Sequence, residues 1–273
     1  MQKSRSFVAA WILMGVFACV ALAPAASLSA DWTDVAKKLT GRCATFENDI
    51  KDMTADMEMK ATTPQGPVSM TMKTFVKGVR FRGDIVMKEI PGAEGMPAEM
   101  AGMTMVVIGD GKQYWMVSSM MGKQQLPAEE ADKYAMPWRC SEYIPRSGKI
   151  VGSETVNGRD CHVVVAMETT VNMAKIWLDK ETLDLLKVEA KPEDEEQTTM
   201  FFKDYRKVLD DLRYPYVTDI YQKGELISTI TVKTVEVNKG IADTLFDPDK
   251  VEVKGPSMQD MMKKMQEQQS QPK

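Results

Sequence analysis

The sequence predicts a mainly β (α+β) fold built on one large, curved antiparallel sheet. At least nine strand-like runs follow one another at hairpin spacing, and recognisable turn chemistry separates many of them. Only two short stretches before the C-terminal tail carry helical patterning, so helices are few and serve to cover a concave face. The strands are also unusual in what they carry: fourteen of the chain's 23 methionines fall between Met53 and Met136, many of them two apart or adjacent.

The N-terminus sets the compartment. Lys3 and Arg5 precede the apolar run Phe7 to Leu22, and the small-residue stretch Ala23 to Ala30 follows. This is the pattern of a secretory signal peptide over residues 1–30, with cleavage after Ala26 or Ala30, and it predicts an exported, periplasmic protein. Acylation at Cys19 is the alternative, opposed by bulky Phe17 two residues upstream and by the apolar run continuing to Leu22. Removing Lys3 and Arg5 from the 35 basic residues leaves 33 against 39 acidic ones, a net charge of −6. That balance offers no basic footprint for nucleic acid. In an oxidising compartment one disulfide is expected among Cys43, Cys140 and Cys161, and Cys140–Cys161 is the preferred pair.

Along the mature chain, Trp32, Val35, Ala36 and Leu39 follow the i, i+3, i+4, i+7 spacing of a short amphipathic helix, with Asp31 or Thr33 as its cap. Strands begin near Met53. Val68, Met70 and Met72 alternate on one face of the next, and Val79 to Met87 forms another after a turn at Gly78. Ile90 to Pro97 is rich in breakers and reads as loop. Met103–Ile108 and Gln113–Val117 flank Gly109-Asp110-Gly111-Lys112, which is hairpin turn chemistry. Pro127 to Tyr134 reads as a short helix with proline in its first turn. Strands then surround Asn157-Gly158, the strongest short-range hairpin signal, and continue as 174–178, 183–190, 198–208, 215–222 and 226–237. Ile241 to Phe246 reads as a helical turn. The Gln-rich tail 257–273 reads as disordered in isolation, since so short a helix is marginal without packing; as a helix it would carry the methionine stripe Met258, Met261, Met262 and Met265, suited to docking an envelope protein partner.

No catalytic residues are assigned, no metal site or cofactor is expected, and the chain does not read as an enzyme. The single histidine, His162, follows Cys161 in a strand, so the two point to opposite faces and form no dyad. The acidic run Glu193-Asp194-Glu195-Glu196 lacks the spaced ligands and central glycine of a calcium loop. No phosphate-cradling glycine loop, Cys-x-x-Cys or His-Glu-x-x-His occurs.

Laid out this way, the chain resembles the LolA/LolB-like superfamily of periplasmic lipoprotein carriers, the outer-membrane lipoprotein-sorting proteins. Four ordered features carry the resemblance: the export signal and short helix leading into Leu39–Phe46 (LTGRCATF); the strand and turn Lys73-Thr74-Phe75-Val76-Lys77-Gly78; the hairpin Val107-Ile108-Gly109-Asp110-Gly111-Lys112-Gln113-Tyr114-Trp115, similar to the family's xDGKxxWxY element; and Ile176-Trp177-Leu178-Asp179 with Gly240 to Phe246 near the C-terminal end. The resemblance implies an incomplete β-barrel closed by short helices over residues 31–256, carrying a lipoprotein acyl chain or another lipid. The family's functional arginine falls where this chain has Gly78 and Val79, with Arg80 and Arg82 sharing a face further on. The resemblance therefore does not extend to an energy-coupled handover, and the same fold suits an envelope-stress sensor or scaffold.

On this reading Met57, Met59, Met70, Met72, Met103, Met105 and Trp115 line the lipid cavity, because unbranched, polarizable methionine fills an empty cavity and rearranges around cargo. The rival from another class is a Cu(I)-binding protein, since thioethers are soft ligands. It ranks lower because the methionines spread over several strands and histidine is nearly absent.

Overall fold

The computed structural model describes residues 31–64, 66–89, 103–127, 144–168, 173–190 and 197–252. The expected signal peptide, the expected 90–97 loop, the expected 127–134 helix beyond its first residue, residues 193–196, Cys140 and residues 257–273 lie outside them. Among the described residues, a helix α1 (Trp32–Asp49) precedes β1 (Asp52–Thr63), β2 (Gly66–Lys77), β3 (Arg80–Glu89), β4 (Thr104–Gly109), β5 (Tyr114–Ser118) and β6 (Gly122–Leu126). Then come β7 (Ser147–Val156), β8 (Arg159–Glu168), β9 (Met173–Asp179), β10 (Leu185–Ala190), β11 (Thr198–Leu209), β12 (Leu212–Gln222) and β13 (Glu225–Val237). Two 3₁₀ turns, Asp243–Phe246 and Pro248–Lys250, follow.

All thirteen strands belong to one antiparallel sheet, ordered β6-β5-β4-β3-β2-β1-β13-β12-β11-β10-β9-β8-β7. Its ladder is not closed, because the order ends on β6 and β7. The mainly β, large-sheet class expected from the sequence is the class found. Asn157 and Gly158 both take positive φ (51° and 76°), as a type I′ turn demands, so the Asn-Gly signal marks the β7–β8 hairpin. Lys223 and Gly224 repeat that geometry between β12 and β13. Strand β6 is the one the sequence hides: Gly122-Lys-Gln-Gln-Leu126 carries one apolar residue, and its first four positions are exposed.

The sheet is shared by two compact units. One comprises the described residues within Met1–Asp49 and Pro137–Ile227. There α1 lays Trp32, Val35 and Leu39 on Val164, Ile176, Leu178, Val188 and Ala190, so the amphipathic stripe meets the β8–β10 face. Asp31 caps the helix, its carboxylate accepting from Thr33 N–H at 3.2 Å. The helix runs ten residues beyond the expected Leu39, because Cys43 and Phe46 extend the buried face past Gly41. On the other face of these strands, Trp177 packs with Val156, Cys161, Val163 and Leu186.

The second unit comprises the described residues within Ile50–Met136 and Ser228–Lys273. Here β1 pairs with β2 on one side and with β13, more than 160 residues later, on the other. Asp52, almost fully buried, fixes the chain after β13 by accepting from the backbone N–H of Lys239 (2.9 Å) and Gly240 (3.0 Å). The 3₁₀ turn Asp243–Phe246 then covers one face, packing Ile241 and Phe246 on Val106, Ile108 and Val117.

Cys161 is a buried free thiol, so the expected Cys140–Cys161 bridge is not formed. Cys43 is the disulfide-bonded cysteine, with a partner outside the described residues. The physical reason lies in orientation: Cys161 points into the Trp177 cluster, where it packs as a small hydrophobe.

Candidate functional site

The register of β1 to β5 brings most of the methionines onto one face. Residues directly opposite in an antiparallel pair point to the same side. Met57 pairs with Met72 and Met59 with Met70; Met70 then pairs with Met87 and Met72 with Ile85. Ile85 pairs with Met105, and the Met87 N–H donates to the Met103 carbonyl at 3.1 Å, placing Met103 opposite Met87. Two adjoining rows result, Met59–Met70–Met87–Met103 and Met57–Met72–Ile85–Met105. Val232 and Ile230 of β13 extend them beside Met57 and Met59. Met57 is buried, while Met59, Met70, Met72, Met87, Met103 and Met105 are half-buried.

The opposite face is polar along the same stretch of β1. Glu58 receives Lys233 (2.8 Å) and Lys60 (3.6 Å), and Lys73 reaches Asp56 (3.4 Å). Hydrogen bonding from Lys233, together with the charges of Lys233 and Lys60, holds the Glu58 carboxyl below its ordinary range. This strict alternation makes the methionine side the apolar face of β1.

Six of the seven side chains proposed from sequence therefore share a face, and Trp115 does not. Trp115 is opposite Ile108, whereas its neighbours Tyr114 and Met116 are opposite Gly109 and Val107. The period of two turns Trp115 away, to pack against the cluster beneath the 3₁₀ turn. Met87 was not among the seven residues named from sequence, although its even spacing from Phe81 along β3, ahead of the bulge at Lys88, puts it on the same face.

Arg80 and Arg82 hold the 3₁₀ turn in place. Arg80 (2.9 Å) and Lys77 (2.6 Å) bind Asp243, and Arg82 donates to the Leu245 carbonyl (3.1 Å) while pairing with Asp84 (2.6 Å). Hydrogen bonds from Lys77 and Arg80 lower the Asp243 pKa. Both arginines are thus committed to structure.

The other unit holds the densest polar cluster. Asp184, with a side chain 1% exposed, receives Arg213 (2.7 Å), Arg159 (3.0 Å) and Arg42 (3.5 Å). Arg42 also donates to the Thr182 carbonyl, tying α1 to the β9–β10 turn. Asp179 accepts from Thr182 N–H (2.6 Å), Thr182 Oγ1 (2.9 Å) and Arg159 Nε (2.8 Å). Arg159, Arg213 and Lys203 border an open groove of about 430 Å³, but each is already paired, Lys203 with Asp219 at 2.5 Å. The cluster is a staple of this unit. Burial alone would push the Asp179 pKa up, yet the Thr182 and Arg159 hydrogen bonds outweigh it and hold the carboxyl below its ordinary 3.8. A depressed carboxyl adds stability that is fully present above the unfolded value and is lost as pH falls through the lower folded value. The urea midpoint is therefore expected to fall as the pH is taken below about 4. The Asp179→Asn variant should show a shallower fall over that window.

Burial, with nearby Lys180 and Lys38, lowers the His162 pKa, so this histidine is neutral near pH 7. Burial raises the Cys161 thiol, the opposite of an activated nucleophile. Among the described residues no three His, Cys, Asp or Glu side chains gather as metal ligands, and no helix is long and apolar enough to cross a membrane.

No protein-family model matches the sequence, and no curated protein matches it. Solved structures do. A DUF1329 family protein from Desulfovibrio piger is similar with a TM-score of 0.61 at 15% identity, covering 82% of this chain and 100% of that one. A putative outer membrane lipoprotein-sorting protein domain from Vibrio parahaemolyticus gives 0.57 at 16% identity, over 80% and 97%. A LolA superfamily protein from Nitrosomonas europaea gives 0.54 at 13%, over 79% and 99%. The fold is LolA-like.

Proposed function

We propose that this is an exported, periplasmic carrier or binding protein for an apolar chain, the acyl group of a lipoprotein or of another lipid, and that the methionine face receives it. The observation that carries this reading is the pair of adjoining methionine rows, mostly half-buried on one side of a LolA-like sheet, with charged side chains on the other side of β1. An acyl chain in water costs about 0.8 kcal/mol per CH₂, so a carrier must offer an apolar surface that adapts to the chain. Unbranched thioether side chains do this without a fixed shape. The export pattern of residues 1–30 and the similarity to the putative lipoprotein-sorting domain from Vibrio parahaemolyticus support a role in envelope lipoprotein sorting.

The test is native extraction. Mature protein purified from the periplasm without detergent should carry an acyl-chain lipid, identifiable by mass spectrometry, and should bind a fluorescent fatty acid. Met72→Asp places a charge in the middle of the face and should reduce that binding by about tenfold or more while the far-UV spectrum is kept. Protein that arrives without lipid and binds no fatty acid would overturn the reading.

A further inference from the structure

The register supports more than an apolar surface. Met57, Met72, Met59 and Met70 form a two-by-two array on neighbouring strands, and Met87 stands next to Met70 on the third. We propose that this array is a binding site for a soft monovalent cation, Cu(I), held by thioether sulfur alone. The site is distinct in chemistry from lipid binding and does not depend on it.

The argument is geometric first. Directly opposite residues of an antiparallel pair have Cβ atoms about 4.5–5.5 Å apart, and residues two apart on one strand sit about 7 Å apart on the same face. Each Met sulfur stands two bonds beyond its Cβ, on a chain with free rotors. Sulfurs from Met59, Met70 and one neighbour can therefore close on one point at about 2.3 Å, a typical metal–sulfur distance. The breadth of the methionine distribution in the sequence hid this convergence, since three strands fold it into one patch.

A second observation falls at the same place. The two strands flanking the β1–β2 ribbon each carry a β-bulge there. Lys233 is the extra residue of β13 beside Asp56 and Met57, and Lys88 is the extra residue of β3 beside Ser69 and Met70. Bulges recur beside functional sites, where they re-aim side chains, and these two bracket the array from both sides. Chemistry then selects the ion. The donors are neutral, soft and sulfur-only, while Asp56 and Glu58 of the same strand lie on its other face, paired with Lys73 and Lys233. Thioether ligands of this kind select Cu(I), whereas carboxylate and carbonyl oxygen suit harder ions such as Mg²⁺ and Ca²⁺. Leucine would pack an apolar face at similar volume but could not ligate, so replacing methionine by leucine separates the two roles.

The test uses full-length mature protein labelled with [¹³Cε]methionine and titrated with Ag(I), a redox-inert probe for Cu(I), followed by a Cu(I) competition against a chromogenic chelator without oxygen. The ε-methyl signals of Met59 and Met70, with Met57, Met72 or Met87, should shift together and saturate at one equivalent. The Met59→Leu/Met70→Leu variant should bind Cu(I) at least about tenfold more weakly. Met116→Leu, on the same face but outside the array, should bind Cu(I) as the parent does. The proposal is overturned if the shifting signals belong to Met258, Met261, Met262 and Met265, if Cys161→Ser removes the binding, or if the leucine variant keeps the parent's affinity. The wild-type methyl spectrum decides the matter even if the double variant folds poorly. A protein that binds Cu(I) but no fatty acid would sink the carrier reading and leave this one standing.

Discussion

Replacing Asp184 by alanine should destabilise the protein by about 2–4 kcal/mol in urea unfolding followed by tryptophan fluorescence. Its carboxylate is 1% exposed and receives three guanidinium groups, from Arg42, Arg159 and Arg213. Removing the shared anion strands three cations around a buried point and unties α1, the β9–β10 turn and β12 together. A buried pair broken on one side typically costs 3–5 kcal/mol, and the arginines' partial exposure, 28–37%, reduces that figure because water takes up part of their charge. Asp184→Asn keeps the shape and should fall between. A loss under about 1 kcal/mol would mean that the arginines swing into solvent, and that the cluster does not staple this unit.

Trp177→Ala should cost about 3–5 kcal/mol by the same measurement, with a second tryptophan or far-UV signal as the reporter. The indole is 2% exposed and fills the space between Val156, Cys161, Val163 and Leu186. Its Nε1–H donates to Glu154 at 2.8 Å, and the Lys187 ammonium lies 3.9 Å from the ring centroid. Trp177→Phe retains an aromatic face for Lys187 and loses the indole hydrogen bond, so its cost should be near 1–3 kcal/mol. Equal losses for the two variants would place the energy in the Glu154 bond and not in the packing.

The strands were legible because their signals are local. Asn157-Gly158 demands a tight hairpin, and Val68, Met70 and Met72 declare a face through their own alternation. The extent of α1 was hidden by Gly41, although Cys43 and Phe46 keep its stripe in phase. The methionine face was only half legible. Which methionines share a side within a strand follows from spacing, but which stand opposite one another depends on register, and register depends on pairing between strands. Trp115 was misplaced for that reason: its strand was right and its parity was not. The disulfide choice failed similarly, since cysteine spacing says nothing about which way Cys161 points. The Asp179–Asp184–arginine cluster gave no motif at all, because Arg42, Arg159 and Arg213 meet only through the fold.

The pairing of β1 with β13 has a consequence for how the molecule comes into being. Each compact unit takes one piece from across the chain: α1 completes the strands of the later half, and β13 completes those of the earlier half. Hairpins can form early, since their contacts are short in sequence. The β1–β13 seam cannot, because its closing partner arrives last. Until then β1 presents an unpaired edge, a template for aggregation. Interleaving of this kind also means that a gene cut between residues 136 and 137 yields two fragments, each lacking an element of its own unit. Co-expression of the pieces, and not either piece alone, is the route by which such a split protein would reassemble.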